Sequence, residues 1–283
     1  MNNIRAGLHQ QNNIKSAATK ATGKATILDE IIAAKRIEVA LNKQFQTVQE
    51  LEQKPYFERT TLSLKASVKQ HSGIITEFKR RSPSKGIIND TVTVASVVSG
   101  YDVNGASGIS ILTDTPYFGG SNSDLLEGRI VSSKPILRKD FIIDEYQIIE
   151  AKAIGADVIL LIAANLTVKE VKQFAKFAKS LNLEVLLELH TEIELDHICD
   201  EIDLIGINNR NLKNFEVNLE HAINLAAKLP ADKPRIAESG INNVESILYL
   251  KQQGFDGFLI GEYFMKEPEP AIAFANLVTK LPW

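Results

Sequence analysis

Eight short apolar runs from His71 onward constrain the fold more than any other feature of the chain. They cover residues 74–78, 108–113, 135–138, 158–162, 184–188, 204–207, 234–237 and 257–260. All are rich in Ile, Leu and Val, and they do not alternate with polar residues. Parallel strands covered on both faces have this composition. Longer amphipathic stretches lie between them. In one, Thr167-Val168-Lys169-Glu170 has the form of a capping box, and Val168, Val171, Phe174, Ala175, Ala178 and Leu181 follow at helical spacing. Eight strand–helix units in roughly 210 residues predict an α/β fold, a (β/α)8 TIM barrel. A doubly wound open sheet usually has fewer strands and a glycine-rich turn after the first. Thr76-Glu77-Phe78-Lys79 is no such turn.

Ahead of the barrel, Ile27, Ile31, Ile32 and Val39 recur at helical spacing, which predicts an extra N-terminal helix over residues 27–41. The first 25 residues differ in kind. They hold Arg5, Lys15, Lys20 and Lys24 and no acid, and read as a disordered basic extension. An organellar transit peptide is the alternative, and the scarcity of arginine weighs against it. The expected organisation is therefore an extension over 1–25 and a single catalytic barrel domain over 26–283. A net charge of −3 provides no basic field for nucleic acid. Cys199 is the sole cysteine, so no intramolecular disulfide can form; a reducing, cytoplasmic setting is expected. The longest apolar run, 158–164, is far too short for a membrane span. The expected state is a monomer or weak oligomer.

Barrel enzymes carry their chemistry at the C-terminal ends of the strands. Here those ends hold Glu77 and Lys79, Asp114, Lys139 and Asp140, Glu188, Asn208 and Arg210, Glu238 with Ser239 and Gly240, and Gly261 with Glu262. Loop polarity alone does not explain two lysines and three glutamates converging on one mouth. A lysine among carboxylates stays protonated and can donate a proton, and a carboxylate such as Glu188 can accept one later. Ser239-Gly240 and Gly261-Glu262 follow the last two strands, where barrels often bind phosphate, and a helix starting near Asn242 would add its dipole. The run from Phe78 to Gly86 concentrates Lys79, Arg80, Arg81 and Lys85. It reads either as a solvated charge run or as a loop gripping an anionic substrate. No aromatic residues interleave with it, which argues against single-stranded nucleic acid. His190, His197, His221 and Cys199 do not combine into a zinc-ligand pattern and are expected to be structural. No phosphate-cradling or dinucleotide motif occurs, so no cofactor is indicated.

The strings Ile75-Thr76-Glu77-Phe78-Lys79-Arg80-Arg81-Ser82-Pro83-Ser84-Lys85-Gly86 and Leu137-Arg138-Lys139-Asp140-Phe141 resemble the signatures of indole-3-glycerol-phosphate synthases. So do residues 110–114, 205–210 and 237–241 and the leading helix, and the resemblance runs from about Thr26 to the C-terminus. It implies a cofactor-free carboxy-lyase of tryptophan biosynthesis. That enzyme converts 1-(2-carboxyphenylamino)-1-deoxyribulose 5-phosphate into indole-3-glycerol phosphate, carbon dioxide and water. By matched position, Lys139 is the general acid on the ketose carbonyl, and Lys79 orients the substrate anions or assists dehydration. Glu188 is the base as the indole becomes aromatic. Glu77, Asn208 and Glu238 position hydroxyls and keep the lysines charged. Ser82 contacts the anthranilate carboxylate, and Asp114 and Arg210 complete the substrate contacts. Ser239, Gly240, Gly261 and the backbone of Glu262 hold the phosphate, with the Glu262 charge turned away. Another phosphosugar barrel enzyme, such as phosphoribosylanthranilate isomerase or a Schiff-base aldolase with Lys139 as nucleophile, and a non-catalytic phosphate-binding barrel are the rival readings.

Overall fold

A computed structural model describes residues 26–210 and 216–282. Eight parallel strands close on themselves: β1 (Ile74–Phe78), β2 (Gly108–Leu112), β3 (Ile136–Lys139), β4 (Val158–Ile162), β5 (Glu184–Leu189), β6 (Leu204–Asn208), β7 (Arg235–Glu238) and β8 (Gly257–Ile260). Each strand pairs with its neighbours in sequence, and Ile74 against Phe258 closes the ring. The expected basic extension, residues 1–25, lies outside the described residues.

Because both faces of each strand are covered, two apolar layers form. Inside the barrel, Ile75, Leu137, Val158, Leu160, Leu186, Leu204, Ile236 and Leu259 pack together, with Leu64 and Val68 of the helix Leu64–Gln70 packed among them. Outside, alternate strand residues meet the surrounding helices. The helix Val168–Ser180 has the anticipated capping box, and it buries Val171, Phe174, Ala175 and Ala178. Its first apolar residue, Val168, is instead exposed.

The leading helix, α1 (Ile27–Phe45), is capped by Thr26, whose side chain accepts from the Asp29 amide. It buries Ile31, Ile32, Ala34, Lys35 and Val39, and Val39 packs with Tyr146 and Ile149 of the helix Glu145–Ala153. Among the described residues no helix is long and apolar enough to cross a membrane, and no group of His, Cys, Asp and Glu is placed to hold a metal ion.

Candidate active site

The strand ends surround a cavity of about 320 Å³ at the C-terminal mouth, within the size range of small-molecule sites. Glu77 and Lys79 reach it from β1, Lys139 from β3, Glu188 from β5, Asn208 and Arg210 from β6, and Glu238 from β7. Parallel register produces this convergence, with Ile162 opposite Glu188 and Asn208 opposite Glu238 on neighbouring strands. Gly206 makes room for the last of these, because a Cβ there would collide with the Glu238 carboxylate.

Lys139 is the hub. Its Nζ lies 2.8 Å from Glu188 Oε2 and 3.2 Å from Glu238 Oε2. Burial works against the ammonium, but the charges of Glu188, Glu238 and Glu77 outweigh it and hold the lysine protonated beyond its ordinary range. That opposes a Schiff-base role, which needs a depressed lysine pKa. The two carboxylates beside it diverge. For Glu188, burial favours the neutral acid, yet Lys139 and His190 prevail and keep it ionised well below the usual range. For Glu238, burial, with added repulsion from Glu188 and Glu77, overcomes Lys139 and pushes the carboxyl up to about 7. One ammonium thus stands between a committed carboxylate and one poised to hold a proton. Asn208 Nδ2 donates to Glu188 Oε1 at 3.0 Å, fixing the free edge of the ionised acid. Lys79 pairs with Glu77 at 2.6 Å.

Another part of the cavity is lined by the turns that follow β7 and β8. Ser239 and Gly240 both have left-handed backbone, with φ of 68° and 72°. Gly240 is the residue type that conformation favours. Asn209 Nδ2 donates to the Ser239 carbonyl at 2.8 Å and holds the turn. The helix Val244–Gln252, capped by Asn243, begins just beyond, close to the position expected from sequence, and Gly261 precedes the short helix Glu262–Met265. Ser82, Ser239, Gly240, Gly261 and Glu262 all line the cavity. Glu262 is drawn sideways toward Arg210 at 3.5 Å and Lys85 at 3.8 Å, and Arg210 also donates to Ser84 Oγ at 3.1 Å.

Two expectations are corrected. Asp114 does not line the cavity. Its carboxylate accepts from the Tyr117 and Phe118 amides as a helix cap and pairs with Lys35 at 3.1 Å, and it is 1 % exposed. The basic run also does not grip as a unit. Arg80 forms a two-pronged pair with Asp124, and Arg81 donates to the Pro116 carbonyl. Of its four cations, Lys79 alone lines the cavity. The histidines behave structurally in part: His197 and His221 bond to the carbonyls of Leu166 and His190. His190 is different, since its Nε2 lies 3.2 Å from Glu188 Oε1. The residues of the apolar wall were not readable from sequence. Ile27, Leu28 and Ile31 from α1 stand with Phe118 and Phe141, whose ring centroids are 6.0 Å apart.

Comparison with known proteins agrees with this geometry. The family model described as indole-3-glycerol phosphate synthase matches residues 28–277. An indole-3-glycerol phosphate synthase from Bacteroides thetaiotaomicron is 48% identical over 253 residues, covering 89% of this chain and 97% of that protein. One from Polynucleobacter asymbioticus is 40% identical over 263 residues, covering 89% and 98%. Among solved structures, a chain of the tryptophan synthase complex from Pyrococcus furiosus matches with a TM-score of 0.57 at 18% identity, over 75% of this chain and 98% of that one. At that identity the likeness extends to the fold alone. With the family model spanning the barrel and most of the leading helix, the chain belongs to the indole-3-glycerol phosphate synthase family.

Proposed function

We propose that this cavity closes the indole ring of 1-(2-carboxyphenylamino)-1-deoxyribulose 5-phosphate, with Lys139 as the acid that starts the reaction. The family's overall reaction, a carboxy-lyase step in tryptophan biosynthesis, is the reaction of this chain. The observation that carries the assignment of roles is the Lys139 ammonium, held between one ionised and one proton-holding carboxylate. As the carboxylate-bearing ring carbon attacks the ketose carbonyl, Lys139 protonates the developing alkoxide. Carbon dioxide then leaves and the ring regains aromaticity. Departure of the new hydroxyl as water needs a second proton, which in this reading comes from Lys79. Glu188, ionised and fixed by Asn208, takes the proton lost as the pyrrole ring becomes unsaturated. Glu77 pairs with Lys79, and Glu238 with Lys139.

Binding at both ends brings the reacting carbons together and lowers the entropic barrier. Ser239, Gly240, Gly261 and the Glu262 backbone would take the phosphate. Ser82 and Lys79 would take the anthranilate carboxylate, with Arg210 completing the rim. The apolar wall would take the aromatic ring. The eight strands and the leading helix form one barrel around the cavity, which supports a single catalytic domain over residues 26–283. The lone cysteine supports a cytoplasmic setting.

The direct test mixes purified protein with the carboxyphenylamino ketose phosphate, without added metal, and follows indole fluorescence and released carbon dioxide. Both are expected to appear together. Binding without either product would sink the assignment.

A further inference from the structure

We propose that Lys35, outside the cavity, is a positioning residue that sets the register of the apolar wall against the catalytic lysine. This inference rests on the function proposed above. Lys35 is 1 % exposed and contacts three carboxylates: Glu38 at 3.0 Å, Asp114 at 3.1 Å and Asp140 at 2.9 Å. Glu38 lies on the same helix as Lys35, and the other two contacts each lead to a different part of the wall. On α1, Lys35 lies four, seven and eight residues after Ile31, Leu28 and Ile27, so all four occupy one helical face. Asp114 caps the short helix Thr115–Phe118, which presents Phe118 to the cavity. Asp140 accepts from the Phe141 amide at 2.8 Å and directly follows Lys139 in the chain.

One ammonium therefore ties the helix, the loop after β2 and the end of β3 at a single point. The pieces it joins are those that carry the wall residues Ile27, Leu28, Ile31, Phe118 and Phe141. No other side chain joins all three segments among the contacts described. Asp140 keeps Arg138 at 3.2 Å and Thr113 at 2.6 Å when Lys35 is removed, so the end of β3 and its Lys139 stay in place. What loosens is the wall. Lys35 should accordingly act on the affinity for the aromatic portion of the ligand and not on the proton transfers.

The test measures kcat and KM for Lys35→Met, together with the Kd of indole-3-glycerol phosphate by calorimetry. An interaction that supports ground state and transition state alike appears in KM with kcat preserved, so KM and product Kd are expected to rise about tenfold with kcat within about threefold. Asp114→Asn keeps the cap acceptor while removing the charge facing Lys35. It should shift the same two quantities in the same direction, and it carries the test if Lys35→Met does not fold. A lowered melting temperature with unchanged KM and Kd would reduce Lys35 to a purely structural ion and overturn the proposal, as would a fall in kcat at constant KM. Wild-type protein that forms no indole product would instead defeat the underlying function, a separate result.

Discussion

Two buried lysines sit back to back at the end of β3, and they differ in what surrounds them. Lys139 faces the cavity with 14% of its side chain accessible; Lys35, on the far side of Asp140, has 1%. Both are ringed by acids and both are held protonated, because neighbouring carboxylates overcome the cost of burial. At Lys35 two of the three partners are also bound elsewhere: Asp140 by Arg138 and Thr113, Asp114 by two backbone amides. Each cluster holds one carboxyl that burial pushes up to about 7, Glu38 and Glu238, but Glu238 lines the cavity with its Oε1 unpartnered, and Glu38 does not line it. A cluster shut off from the cavity fixes geometry. One open to a ligand can exchange protons.

The comparison is broken most directly at Lys139. Lys139→Met should lower kcat by about 10²- to 10⁴-fold, the usual contribution of a general acid. Product affinity should change little, since the phosphate turn and apolar wall are untouched. Steady-state kinetics with product-binding calorimetry checks this, and near-normal turnover would remove Lys139 from its role. Lys35→Met should act chiefly on stability and binding. Removing one partner of a fully buried ion pair typically costs about 3–5 kcal/mol, because uncompensated charge remains. Urea unfolding of the two variants side by side should show the larger loss for Lys35→Met, since the carboxylates around Lys139 border the cavity. Equal losses would mean that the two clusters do not differ as described.

That contrast also explains what sequence could and could not reveal. The strands were legible because burial on both faces leaves no polar residue to obscure the run: 74–78, 158–162 and 257–260 coincide with β1, β4 and β8 to the residue. The cluster of charged strand ends was legible because a barrel sends strand ends to one mouth, whatever the loops between them do. Lys35 was not. In an amphipathic helix, a lysine ordinarily reads as part of the solvated face, and only the tertiary approach of Asp114 and Asp140 buries it. Asp114 was misread for the matching reason. A carboxylate at a strand end looks like a ligand group until its cation is found elsewhere in the chain. The apolar wall was hidden because its residues come from α1 and the loops after β2 and β3, regions with no shared pattern in sequence.

Glu238 allows the open cluster to be examined by pH. Its carboxyl sits at about 7 when folded, against an ordinary 4.5. Below pH 4.5 the group is protonated in both states and has no effect on stability. Between 4.5 and 7 the unfolded chain releases a proton that the folded chain keeps, so stability falls as pH rises, and above 7 that loss is complete. Glu238→Gln cannot titrate. It should match the parent near pH 4 and exceed it at pH 8, by on the order of 1–2 kcal/mol. Chemical denaturation at the two pH values reads this out, and a variant less stable than the parent at pH 8 would contradict an unfavourably placed charge.

The smallest effect is expected from a lysine on the same helix as Lys35. Lys43, near the end of α1, reaches Asp144 at 2.7 Å, closer than any of the three contacts of Lys35, and also ties the helix to the barrel. Its side chain is 45% accessible and that of its partner 34%. In water the attraction is screened and long side chains lose entropy on pairing, so such pairs contribute about 0.2–1 kcal/mol. Asp144 also keeps its other duty, accepting from the Tyr146 amide at 2.9 Å. Lys43→Met should therefore shift the urea midpoint slightly, lose even that shift at high salt, and leave KM and product affinity unchanged. The shorter distance makes this the stricter comparison. If Lys43→Met raised KM as much as Lys35→Met, any tether on α1 would suffice to hold the wall, and the burial of Lys35 beside Asp140 would carry no special weight.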